Sequence, residues 1–94
     1  MTTGSSRWHP LVLETVPSHL LDDLARYIDS GNIHSTMWVV RQVLQFNLRK
    51  ITDFGDEEDV AVMGFLLRAV YAHAPMDSYG SEKATLAWQG LRPW

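Results

Sequence analysis

Ninety-four residues with a net charge of −3, 46% apolar side chains, four tryptophans and no cysteine describe one small folded domain. The apolar content excludes a disordered chain, and the missing cysteines exclude disulfide frameworks, thiol nucleophiles and cysteine-type zinc sites, in keeping with a reducing cytoplasm. The acidic balance argues against a general binder of phosphate backbones, and the small size, at which one core is only just sufficient, keeps self-association in view.

Residues 1–16 read as an arm and cover, and residues 17–94 as the helical core. Met1 to Arg7 is polar and lacks the apolar run of a secretory signal. Trp8 and Leu11-Val12-Leu13 flank Pro10 and stop at Pro17; the prolines predict an extended cover, with room for a short strand, rather than a helix. A first helix is predicted from Pro17 or Ser18 to Asp29. Leu20, Leu24, Tyr27 and Ile28 form its apolar stripe, Leu21 flanks it, and Gly31 lies just past its end.

After a short connection, Ser35 or Thr36 is positioned to cap a second helix running to about Ile51. Met37, Val40, Leu44, Leu48 and Ile51 form its expected core face, with Val43 beside them, and Val39 and Phe46 lie roughly opposite as a second apolar patch. Thr52 to Gly55 turns the chain. Asp56 then caps a third helix whose first turn holds Glu57, Glu58 and Asp59, so the acidic cluster is explained by capping and by the helix dipole.

That third helix, Val60 to Ala74, is the centre of the chain. Val60, Met63, Leu67, Val70, Tyr71 and Ala74 share one face, while Val62, Phe65, Leu66 and Ala69 make most of the remaining circumference apolar. A helix apolar nearly all round is covered on more than one side, by its own chain or by another subunit. It falls short of the roughly 20 residues of a membrane span and carries Arg68 near its middle, so no membrane partner is expected. Pro75 ends it, Ser81 caps a short last helix from Glu82 to about Gln89, and Gly90 closes that helix. The expectation is an all-α fold: a small antiparallel bundle of three main helices plus a short C-terminal helix.

No catalytic signature is present, and His9, His19, His34 and His73 are scattered without metal-ligand spacing. The expectation is a non-enzymatic protein with no cofactor and no metal. Two surfaces are candidates for binding. Trp38, Val39, Phe46 and Trp94 supply the aromatic and apolar anchors that dominate protein interfaces. Trp38, Arg41, Gln42, Gln45 and Arg49 form a helical strip of one aromatic plate, two amides and two guanidinium groups, suited, with Arg68, to stacking a nucleotide base and gripping phosphate.

The order Arg26-Tyr27-Ile28, Gly31, Val43-Leu44, Asn47-Leu48, Leu67, Tyr71, Ala74-Pro75, Gly80-Ser81 and Trp88 resembles small accessory proteins of tailed bacteriophages and prophages. Those proteins read approximately R-Y-I-x-x-G, A-V-L-x-N-D-L, L-Y-x-x-A-P and W-G-S. Phe46-Asn47-Leu48 stands where they have N-D-L, and Tyr79 where they have tryptophan. The resemblance implies a binding role in the host cytoplasm, directed at a host defence protein or at its nucleotide signal. The readings are therefore, in order, an inhibitor that binds a host protein, an oligomer that sequesters an anionic nucleotide, and a helix-turn-helix DNA regulator. The last has an apolar recognition helix behind an acidic turn, the wrong surface for a major groove, so a nucleic-acid partner is not expected.

Overall fold

The computed structural model describes Trp8 and residues 10–91, and every regular element among them is helical. The chain forms α1 (Pro10–Thr15), α2 (Ser18–Ser30), a 3-10 turn (Ile33–Ser35), α3 (Trp38–Leu44) and α4 (Leu48–Phe54). There follow α5 (Glu57–His73), a second 3-10 turn (Met76–Ser78) and α6 (Glu82–Ala87). No helix of the described residues is long and apolar enough to cross a membrane. The polar arm, residues 1–7, and His9 lie outside the described residues.

The expected extended cover is instead the helix α1. Pro10 occupies its first position, where the missing N–H costs nothing and the fixed φ suits a helix, so the proline starts the element it was expected to prevent. The covering role itself is met: Trp8, Val12 and Val16, one helical turn apart, are buried, and α1 packs on α5. Trp8 meets His73 edge to face, with ring centroids 4.9 Å apart.

Helix α2 follows its sequence pattern, burying Leu20, Leu21, Leu24, Tyr27 and Ile28. Its Asp23 has two partners, the Arg26 guanidinium at 2.9 Å and the backbone N–H of Met37 at 2.7 Å. That second bond caps α3 from a neighbouring helix, so neither Ser35 nor Thr36 is the cap; the Thr36 hydroxyl donates back to the Ile33 carbonyl instead. Met37 is therefore at the helix edge and exposed rather than in the core.

The second predicted helix is two helices. The Phe46 N–H donates to the Val43 carbonyl (3.1 Å) and the Asn47 N–H to the Gln42 carbonyl (2.8 Å), the bond pair of a Schellman turn. Phe46 takes the left-handed position of that turn at φ +61°, where glycine is usual. The chain then restarts as α4, whose end at Phe54 lies beyond the expected Ile51. Gly80 seals the break by donating its N–H to the Leu44 carbonyl (2.7 Å).

The Phe46 ring stands against Tyr71 and Tyr79 at centroid distances of 6.0 and 5.8 Å, and the two tyrosines are 5.8 Å apart. Those contacts offset the backbone strain. Phe46→Gly is expected to hold stability within about 1 kcal/mol of wild type, because relief of the left-handed strain balances the lost ring contacts. Phe46→Ala loses the ring and keeps the strain, so urea unfolding should place it about 1 kcal/mol below the glycine variant.

Helix α5 begins as predicted, with a full capping box between Asp56 and Asp59. Its buried face differs from the expected one. Val62, Leu66, Ala69 and Val70 are buried against the other helices, whereas Val60 and Tyr71, assigned to the core face, are 39% and 55% exposed. A helix apolar all round does not announce its inner side by periodicity; α1, α3 and α4, which pack on it, decide which side is covered.

Ser81 caps α6 through the Ala84 N–H (3.0 Å). A buried polar chain then pins α6 to the core. The Tyr27 hydroxyl donates to the Ser78 carbonyl (2.7 Å), and the Gln45 amide donates to the Thr85 hydroxyl (3.1 Å), which donates to the Glu82 carbonyl (2.8 Å). The Trp88 indole N–H reaches the Tyr27 carbonyl (3.1 Å), and Leu91 returns its N–H to the end of α2.

Candidate functional site

The polar side of α3 divides rather than forming one strip. Gln42 and Gln45 turn inward and are buried. Gln45 is satisfied at both ends of its amide, donating to Thr85 and accepting from the Asn47 side chain (3.3 Å). Gln42 is not: its Oε1 is buried without a hydrogen-bond partner among the described residues. Arg41 donates from Nη2 to the carbonyls of His34 (3.0 Å) and Thr36 (3.4 Å), which holds the guanidinium over the end of the first 3-10 turn. Its Nε is buried and likewise has no partner.

These groups line a cleft of about 390 Å³. Ile33 and His34 come from the 3-10 turn, Arg41, Gln42 and Gln45 from α3, Lys50 from α4, and Glu82 and Leu86 from α6. The cleft exists because the Schellman turn at Phe46 redirects α4, which brings Lys50 to the rim, while Gln45 and Thr85 hold α6 on the far wall. Its formal charge is positive, with the two cations Arg41 and Lys50 against the one carboxylate of Glu82. An unpaired buried donor and an unpaired buried acceptor on consecutive residues each carry a desolvation cost, and both atoms are closed off from solvent as the side chains stand.

The remaining predicted residues lie apart from the cleft. Arg49 is almost fully exposed, at 94%, and sits 3.5 Å from Asp53 one turn on. Arg68 is exposed on α5, its guanidinium 5.7 Å from the Phe65 ring centroid, so it is a surface arginine rather than a buried cation. Trp38 is exposed at the start of α3 and does not line the cleft. Of the apolar patch, Phe46 is exposed and Val39 is not: Val39 is 5% exposed and belongs to the core, because α3 is covered on that side too. Val39 is therefore withdrawn as a contact residue. Trp94 lies outside the described residues.

Lys50, His34 and Glu82 escaped the sequence reading, since they converge from elements far apart in the chain. Arg41, Gln42 and Gln45 belonged to the strip expected from sequence, and the structure brings those three to the cleft. The fold and cleft together describe a small all-helical protein with a polar, cationic recess among the described residues. Comparison with protein-family models, with curated proteins and with solved structures finds no match.

Proposed function

We propose that this protein is a non-catalytic binder that sequesters a small anionic nucleotide in the cleft between α3, α4 and α6. The convergence of Arg41, Gln42 and Lys50 on one recess carries this reading. The Arg41 guanidinium suits phosphate or a base carbonyl, and the Gln42 amide, once turned toward the recess, can pair with a nucleobase edge. Lys50 on the rim supplies a charge for phosphate, and the volume lies within the usual range of small-ligand sites. This moves the ligand site from the Trp38–Arg49 strip to residues that share one recess. In the phage-type context that the sequence resembles, such a binder would lower the free concentration of a host defence signal.

Calorimetry against a panel of mono- and dinucleotides tests the proposal. At least one ligand is expected to bind. Arg41→Ala and Lys50→Ala should each weaken it about 10- to 100-fold, the worth of one charge-assisted contact. Arg49→Ala should leave affinity unchanged. No heat with any nucleotide, or equal loss from Arg49→Ala, would overturn the assignment.

A second reading, inhibition of a host protein, rests on Met37 and Trp38, consecutive large apolar side chains that are 44% and 40% exposed. It requires that Trp38→Ala abolish capture of a host factor while leaving nucleotide binding intact.

A further inference from the structure

The outer face of α5 carries a pattern that its own chain does not use. Glu57, Ala61, Gly64, Arg68 and Tyr71 recur at alternating steps of four and three, the spacing of a helix–helix seam, and Ala61, Gly64, Arg68 and Tyr71 are all exposed, as is Glu57. Gly64 is the anomaly. It lies in the interior of a 17-residue helix, where glycine is unfavourable, and a Cβ added there would meet nothing within 4 Å. Neither a turn nor close packing within the chain requires glycine at that position.

We propose that this face binds a second copy of the same chain, with the two α5 helices antiparallel. The argument is charge and shape complementarity under two-fold symmetry. The pairing that sets Glu57 against the partner's Arg68 also sets Ala61 against the partner's Gly64, since both pairs share one midpoint along the helix. Small residues thus meet at the axis, where close approach is needed, and opposite charges meet at either side. Tyr71, 55% exposed, lies at the outer end of the seam. Arg68, now resting over Phe65, needs only to swing its flexible stem to reach a carboxylate.

Sedimentation analysis of the whole protein at micromolar concentration, beside circular dichroism, tests this. Wild type is expected to be a dimer, or a larger assembly containing it. Gly64→Arg should break that contact while keeping the helical signal, because the monomer has space for the side chain. Glu57→Arg and Arg68→Glu should each weaken association at least tenfold, and the two changes combined should restore it. A monomeric wild type, or an assembly that Gly64→Arg and both single charge reversals leave intact, would overturn the proposal. The nucleotide assay is independent of this result, because the cleft and the seam share no residue.

Discussion

Gly90→Ala is expected to cost about 3–4 kcal/mol and to lower the melting temperature by roughly 15–25 °C, close to abolishing the fold of a domain this small. Gly90 has φ +97°, and a Cβ there would stand 2.5 Å from the Asp29 carbonyl oxygen and 2.7 Å from the Ser30 carbonyl carbon. Both obstacles are backbone, so no side-chain rotation relieves them. The opposing residue, Gly31 at φ +81°, faces the same problem, with the backbone of Trp88 and Gln89 at 2.9 Å from its added Cβ. Gly80→Ala is the control: φ is +109° but nothing lies within 4 Å, so only the conformational cost of about 1 kcal/mol remains. Thermal melts of the three variants should separate accordingly, and a Gly90→Ala protein as stable as Gly80→Ala would show that the close approach of the two segments is not needed.

Alkaline titration should expose a second large effect, centred on Tyr27. Its side chain is fully buried and its hydroxyl donates to the Ser78 carbonyl, and burial raises its pKa above the ordinary 10.0. Above about pH 10 the unfolded chain gives up this proton while the native state keeps it. The unfolded state then binds fewer protons, so the stabilisation is complete below pH 10 and is lost as pH rises beyond it, by up to about 1.4 kcal/mol per pH unit. Tyr27→Phe should remove that slope. At neutral pH the same change should cost about 1–3 kcal/mol, because the buried Ser78 carbonyl loses its donor. Urea unfolding of both proteins over the alkaline range checks this, and parallel curves would show that Tyr27 does not govern alkaline loss.

What could be read from sequence was local. The α2 stripe, the Asp56 capping box, the Ser81 cap and the stop at Pro75 each depend on residues within one or two turns, and each is found where the pattern places it. The break at Phe46 could not be read, because a left-handed turn is ordinarily signalled by glycine or asparagine and here a phenylalanine takes it, held by two tyrosines distant in the chain. Pro10 misled for the opposite reason, since the same residue that ends helices also begins them. The cleft was half legible: Arg41, Gln42 and Gln45 belonged to the expected strip, but Arg49 left it when α3 ended early, and Lys50 replaced it on the rim.

The joining of α2 to the C-terminal segment has a consequence for how the chain matures. Trp88 bonds to Tyr27 across 61 residues, and Leu91 bonds to Ile28 and Asp29. The helices themselves rest on near neighbours and can form quickly, but this closure carries the entropy of a long loop and comes late. During synthesis α2 therefore leaves the ribosome with one flank bare, and it stays so until residue 91 has emerged.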